Sequence, residues 1–165
     1  MKIQTTRFGE VEIQESDIRT LPNGMLGFTN DRHFAMLEDE MGSPFQWMQS
    51  LDTPELAFVT IDPDFAISDY QIEVSSEHLK KLDTHRLEDV TVRVIVTMTR
   101  ELKDVTINLQ GPLLFNLDKK LGMQMVITDG RYTTQHPLFG DKLEVPSAKT
   151  TEQKKPARKK RVVAA

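Results

Sequence analysis

The chain has 165 residues, with 21 Lys and Arg against 25 Asp and Glu, a formal net charge of −4 and no Cys. A single domain of this length buries about two-thirds of its unfolded surface, so a core can form without disulfides. The missing thiols exclude a disulfide framework, a thiolate nucleophile, an iron–sulfur cluster and Cys-ligated zinc. No apolar leader follows Met1 and no run approaches the roughly 18 apolar residues of a membrane span, which predicts a soluble, intracellular protein.

The elements are short segments in which apolar and polar residues alternate, as in β-strands with two different faces. In chain order they cover residues 3–7, 10–13, 34–38, 45–51, 56–61, 70–74, 90–100, 105–109, 113–117 and 123–128. Residues 90–100 show the pattern best: Val90, Val92, Val94, Val96 and Met98 share one face, Thr91, Arg93, Thr97 and Thr99 the other, and Ile95 breaks it. This alternation predicts a strand with one wet face.

Turn residues separate the runs, leaving no room for crossover helices. One short helix is predicted over residues 76–82, with Ser75 or Ser76 as its N-cap. The fold class is therefore all-β and antiparallel, a barrel or a sandwich that curls on itself, in a single domain over residues 1–140. The pattern fades after Pro137 and no periodic apolar positions occur from Pro146 onward, so we predict a disordered basic tail over residues 141–165.

Charge is divided unevenly between these two parts. Residues 142–165 contain eight basic and two acidic residues, a local charge of +6, and residues 1–141 contain 13 basic and 23 acidic residues, a charge of −10. An acidic body repels nucleic acid and attracts basic proteins. We expect no direct nucleic-acid binding by the folded body. The tail is either a solubilising segment or an arm for nucleic acid, a membrane surface or nuclear targeting.

Motifs for catalysis or metal binding are missing from the sequence. The sequence has four histidines, His33, His78, His85 and His136, and they are not spaced as metal ligands are. It contains no signature of a catalytic nucleophile or of a phosphate-binding loop. Asp62, Asp64 and Asp69 form an acidic loop, which is either a set of turn-forming residues or a docking surface for a basic partner. The sequence thus predicts a binding protein without cofactors, with a tail-dependent nucleic-acid binder and an enzyme on a small barrel as alternatives.

Four segments, in this order and spacing, resemble the FliW family of flagellar assembly factors. They are Gly24-Met25-Leu26-Gly27-Phe28; residues 44–50 (PFQWMQS) followed by 54–58 (PELAF); residues 105–112 (VTINLQGP) leading to Asn116; and Tyr132 to His136-Pro137-Leu138. The resemblance covers residues 1 to about 140.

The resemblance implies a non-enzymatic, cytoplasmic β-barrel-like protein that binds two partners. One is the translational regulator CsrA, which the family antagonises away from its RNA surface, and the other is flagellin, which competes for the antagonist. We expect a monomer with no membrane partner. For the partner-binding surface we predict Asp62, Asp64, Asp69, Asn108, Gln110 and Asn116, although the family motif does not assign them that role. Asn108 and Asn116 are equally compatible with turn or ladder roles that satisfy backbone groups.

Overall fold

The computed structural model describes residues 1–139 and 162–164. Its strands are β1 Lys2–Thr5, β2 Gly9–Glu12, β3 Ile18–Thr20, β4 His33–Glu38, β5 Gln46–Ser50, β6 Ala57–Ile61, β7 Ile72–Val74, β8 Val90–Thr97, β9 Thr106–Ile107, β10 Leu113–Asn116, β11 Leu121–Gln124, β12 His136–Pro137 and β13 Val162–Ala164. The α-helix is α1 Ser76–Lys81, and short 3-10 helices cover Glu15–Asp17, Pro63–Phe65, Leu87–Asp89 and Leu102–Asp104. The all-β prediction with one short helix is confirmed.

Seven strands close into a barrel in the order β10-β11-β3-β4-β5-β6-β8. Closure follows because β10 pairs with β11 on one side and with β8 on the other. All the pairings in this ring are antiparallel except the β11–β3 pair, which is parallel with Leu121 opposite Thr20. The purely antiparallel prediction is wrong at this pair. β3 and β11 are distant in the chain, so no hairpin turn dictates their relative direction.

The barrel interior holds its own apolar cluster. Its buried members are Leu21, Met25, Phe34, Met36, Met48, Leu113 and Phe115, with Phe58 and Ile95 packed against them. Ile95 breaks the alternation of β8 because it belongs to this interior cluster. The prediction of a wet face on β8 is therefore wrong at Ile95, since that side of the strand faces the inside of the barrel.

A second, larger cluster covers the outside of β6, β8 and β10. The four valines of β8 lie in it, together with buried residues of β7, β9 and the segment after β11. α1 caps this layer: Leu82, which ends the helix, is fully buried, and Ser75 is the N-cap, its hydroxyl accepting from the His78 N–H at 3.2 Å. The helix prediction is confirmed. Met98 lies beyond the end of β8 and is 48% exposed, so it leaves the face predicted for it.

The Gly24–Phe28 segment closes one end of the barrel. Met25 is buried in the interior cluster, and the Phe28 ring lies edge-on to Phe58 with 5.4 Å between ring centroids. The turn depends on Gly24, whose φ is +65°; a Cβ atom at this position would lie only 2.6 Å from the Phe28 carbonyl oxygen. We call this end of the barrel the closed end.

Trp47, the single Trp, is a residue type that is usually found in the core. It is half-buried and packs against the outer cluster. The β1–β2 hairpin contributes the rest of its surroundings, with the Phe8 ring centroid at 5.2 Å and the Arg7 guanidinium 4.9 Å above the indole. The indole therefore attaches the N-terminal hairpin to the barrel.

The prediction of a disordered tail is wrong for residues 162–164. They form β13, which pairs in parallel with β7. The physical reason is burial: Val162 is 9% exposed and belongs to the outer cluster, which offsets the ordering of this short strand. The rest of the predicted disordered segment, 141–161 and 165, lies outside the described residues.

Candidate partner-binding site at the open end of the barrel

A groove of about 640 Å³ lies at the end of the barrel opposite the Gly24–Phe28 segment. We call it the barrel mouth. Strand ends build it: Glu38 ends β4, Gln46 begins β5, and Asp62 follows β6. Its floor is the upper part of the interior cluster, including Met36 and Phe115.

Arg93 is the central polar residue of the mouth. It lies two residues before Ile95 on the same side of β8, so it continues the interior row of that strand. Its Nε donates to Thr60 Oγ1 at 2.8 Å, and its Nη2 donates to the Thr60 carbonyl at 3.1 Å and the Pro44 carbonyl at 3.4 Å. Burial lowers the pKa of Arg93, and the charges of Asp62 and Glu38 oppose that shift. The guanidinium thus joins three strand ends.

Arg19, on the opposite wall, is also held by main-chain carbonyls. Its Nη1 donates to Ser16 O at 2.7 Å and to Ile18 O at 3.0 Å, and burial lowers its pKa against the opposing charge of Asp17. The carboxylates of the mouth point outward instead, since Glu38 and Glu88 are exposed. Three acids, Glu38, Asp62 and Glu88, thus line the mouth with two arginines, and Glu88 also pairs with Arg86 at 3.6 Å. The described body, 1–139, holds 13 basic and 22 acidic residues, a charge of −9.

The predicted acidic loop begins at this rim. Asp62 is the N-cap of the Pro63–Phe65 turn, and its Oδ1 accepts from the Asp64 N–H at 2.9 Å. Asp64 is half-buried and Asp69 is exposed. Phe65, between them, is 50% exposed. The loop therefore combines a turn role for Asp62 with an acidic, aromatic surface beside the mouth.

The structure places the other predicted site residues at opposite ends of the barrel, Asn108 and Gln110 at one and Asn116 at the other. Asn108 lies at the closed end, where its Oδ1 accepts from the Gln110 N–H at 3.1 Å and the Gly111 N–H at 2.8 Å. Gln110 is in the same turn and half-buried. Asn116 lies at the other end of β10 and is 3% exposed; its Nδ2 donates to Leu82 O at 2.8 Å and its Oδ1 accepts from Lys119 N. The structure gives both asparagines the backbone-satisfying roles left open by the sequence.

A buried polar cluster that the sequence analysis did not identify holds the β5–β6 turn at the closed end. The Ser50 hydroxyl donates to Asp31 Oδ1 at 2.7 Å and accepts from the Asp52 and Thr53 N–H groups. Gln49 Nε2 donates to three carbonyls, those of Ser50, Pro54 and Leu56. Ser50 is 2% exposed. All of these residues except Asp31 lie within residues 44–58, a segment on which the family resemblance rests, and their role here is to fix a turn.

Neither a metal site nor a membrane-spanning helix is present in the described part of the chain. Over residues 1–139 and 162–164, no group of three or more His, Asp or Glu side chains is placed to hold a metal ion. No helix in these residues is long and apolar enough to cross a membrane.

Comparison with known proteins gives consistent matches over the barrel. The family model described as "FliW protein" matches residues 2–138. The flagellar assembly factor FliW of Natranaerobius thermophilus is 42% identical over 142 residues, covering 86% of this chain and 94% of that protein. That of Geobacter sulfurreducens is 42% identical over 139 residues, covering 84% and 87%. A crystal structure of the flagellar assembly factor FliW superposes with a TM-score of 0.79 at 37% identity, covering 87% of this chain and all of that one.

Proposed function

Because the chain belongs to the FliW protein family, we propose that it is a non-enzymatic, cytoplasmic flagellar assembly factor that binds two proteins, the translational regulator CsrA and flagellin. Binding of CsrA relieves repression of flagellin translation. Flagellin competes for the same chain, so its export frees the chain to bind CsrA again. Neither step makes or breaks a covalent bond.

The observation that carries the proposal is the acidic surface at the barrel mouth. Exposed Glu38 and Glu88 stand on the rim, while the guanidinium groups of Arg19 and Arg93 are engaged by main-chain carbonyls. A basic, RNA-binding regulator would be attracted to this rim, and the negative charge would keep RNA away. Leu117 is 50% exposed at the edge of the mouth, where it offers an apolar contact beside the acidic side chains of the rim.

We include Asp62, Asp64 and Asp69 in this proposed surface because their loop begins at the rim. Asn108 and Gln110 lie at the closed end, and their contact with a partner stays a separate prediction. Asn116 is too buried to offer a contact in the free chain.

The test measures the binding of the purified full chain to CsrA and to flagellin by surface plasmon resonance. We expect the full chain to elute as a monomer. A double variant, Glu38→Lys with Glu88→Lys, should lower the association rate with CsrA about tenfold at low salt, and the loss should shrink as salt rises. The matched control reverses two exposed acids at the closed end, Glu55→Lys with Glu101→Lys. Equal losses in both double variants would contradict the assignment to the mouth.

Binding to neither protein would overturn the proposed function itself. A gel shift with RNA, compared between the full chain and a chain ending at residue 140, separates the alternative. A shift that needs the basic tail and falls steeply with salt would favour nucleic-acid binding. We expect residues 1–140 not to shift the RNA, whether the tail is present or absent.

A further inference from the structure

β7 is a buried strand with one exchangeable neighbour. Ile72 and Val74 are 0% and 1% exposed and belong to the outer cluster. Within residues 1–139 and 162–164, the strand that pairs with β7 is β13, in the register Val162 opposite Ile72, Val163 opposite Glu73 and Ala164 opposite Val74. One edge of a firmly anchored strand is thus satisfied by a three-residue segment from the other end of the chain.

Of the three β13 side chains, Val162 is the one that is buried. Val162 is 9% exposed and packs in the outer cluster, whereas Val163 is half-buried and Ala164 is exposed. Main-chain pairing plus one apolar side chain is the mode by which an extended peptide adds to the edge of a sheet. With three residue pairs, the contact between β13 and β7 is small.

β13 and β7 come from different parts of the family pattern. β7 lies within residues 2–138, the region matched by the FliW model, and β13 lies outside it. The acceptor strand therefore lies inside the region that the family model matches, and its occupant lies outside that region.

The charges around the edge favour a basic occupant. Glu73 is exposed on β7 opposite Val163, and Glu88 lines the barrel mouth together with Val162. In the sequence, Val162 follows Arg158-Lys159-Lys160-Arg161. In the sequence, the strand that fills the edge is thus preceded by a basic run, and the edge itself lies beside the exposed Glu73 and Glu88.

We propose that the β7 edge is a binding site for an extended segment of a partner protein, in which basic residues precede β-branched apolar ones, and that residues 162–164 are its built-in competitor. A partner strand takes over the main-chain pairing of β7 and places an apolar side chain in the Val162 position. Because Val162 also forms part of the wall of the barrel mouth, the exchange changes that wall. The tethered strand has the advantage of a high effective concentration, so a partner must bind more tightly or in more than one place.

The test uses the full chain and a fluorescent peptide with the sequence of residues 158–165, RKKRVVAA. Val162→Asp removes the buried side chain of the competitor and should release the edge. Fluorescence anisotropy should show the peptide binding at least about tenfold more tightly to the Val162→Asp chain than to the unchanged chain. Ala164→Asp, with the same added charge at an exposed position of the same strand, should behave like the unchanged chain. A peptide that itself carries Val162→Asp should not bind.

Hydrogen exchange measured on the same proteins reports on the edge directly. Amides of residues 72–74 should exchange faster in the Val162→Asp chain and slow again when the peptide is added. Val162→Thr provides a milder release if the aspartate variant aggregates. The proposal would be overturned if amide exchange at residues 72–74 were unchanged in both the Val162→Asp and the Val162→Thr chain. It would also be overturned if the peptide bound to neither of these two chains.

A dimer of the unchanged chain that dissociates on Val162→Asp would show that a second copy supplies the strand, and would also overturn it. CsrA and flagellin are absent from these experiments, so a negative result leaves the proposed function standing.

Discussion

Arg93 Nε donates a 2.8 Å hydrogen bond to Thr60 Oγ1 on the neighbouring strand, inside the open end of the barrel. Thr60 is 0% exposed, and its hydroxyl also donates to Gln46 O at 3.0 Å. The chain of contacts therefore runs from β8 through β6 to β5. It keeps the mouth polar and in a fixed shape although apolar side chains fill the barrel just below.

Replacing this guanidinium should weaken the fold. Arg93→Ala removes the donors to Thr60 and Pro44, so the buried Thr60 hydroxyl keeps its bond to Gln46 O but loses the donor from which it accepts. We expect the free energy of unfolding to fall by about 1.5–3 kcal/mol, the range for hydrogen bonds that involve a charged group. Urea denaturation followed by Trp47 fluorescence measures it. Arg100→Ala, at an exposed position after β8, should stay within about 0.5 kcal/mol of the unchanged chain, and an equal effect of both changes would contradict this account.

Alternation in the sequence was enough to predict most of the strands, but it did not distinguish solvent from a barrel interior. On β8 the row with Thr91 and Arg93 looks like a wet face, and only Ile95 indicated that the row continues into an apolar cluster. Which residues share the mouth depends on strand order and register, and these join Glu38, Asp62 and Arg93 across more than 50 residues of chain.

Three strands were not predicted for related reasons. β3, β12 and β13 have two or three residues each and lie in segments whose apolar and polar residues do not alternate. They form because neighbouring strands offer free edges: β3 pairs with both β4 and β11, and β13 completes β7. Only part of the candidate site could be predicted from the sequence. The density of acids in its loop indicates Asp62, whereas Glu38 and Glu88 reach the mouth only through the fold.

His78 makes the N-terminus of α1 sensitive to pH. Its Nδ1 accepts from the Ser75 N–H at 3.1 Å, which requires an unprotonated nitrogen. Burial lowers the pKa of His78, Lys81 lowers it further and Glu77 opposes the shift. A lowered folded-state pKa means that the folded chain binds fewer protons than the unfolded chain. The stabilisation is therefore complete above the ordinary His pKa of about 6.5 and is lost as the pH falls through the folded-state pKa.

His78→Gln should remove this dependence, since Gln keeps an acceptor at the same helix position at every pH. The unfolding free energy of the unchanged chain, relative to the Gln variant, should decrease between pH 7.5 and pH 5. His85→Gln, at an exposed site, should follow the unchanged chain over the same range. A constant difference between the unchanged chain and His78→Gln across these pH values would show that protonation of His78 does not act on the cap.

Two glycines of the 24–28 segment should respond differently to the same substitution. Both have positive φ, +65° at Gly24 and +82° at Gly27, which costs an alanine about 1 kcal/mol. A Cβ at Gly24 would also lie 2.6 Å from the Phe28 carbonyl oxygen, while one at Gly27 meets nothing within 4 Å. Gly24→Ala should therefore lower the thermal midpoint clearly more than Gly27→Ala. Calorimetry of the two variants checks this, and equal midpoints would mean that the closed end rearranges without cost.

Asp62 combines a structural and an electrostatic role, and two substitutions separate them. Asn retains the side-chain oxygen that accepts from the Asp64 N–H and loses the charge, whereas Ala loses both. We expect Asp62→Ala to lower the free energy of unfolding by about 1 kcal/mol, the usual cost of losing a side-chain cap, and Asp62→Asn to lower it by clearly less.

Binding should rank these two variants differently from stability. If the proposed acidic rim attracts a basic protein, Asp62→Asn and Asp62→Ala both remove the same charge, and both should slow association with CsrA by a similar factor at low salt. The measurement is the association rate across a salt series, with the chain folded in every sample. The result would be different if Asp62→Asn associated as fast as the unchanged chain and Asp62→Ala associated more slowly. It would then follow that the partner contacts the 62–65 turn through its shape and not through its charge.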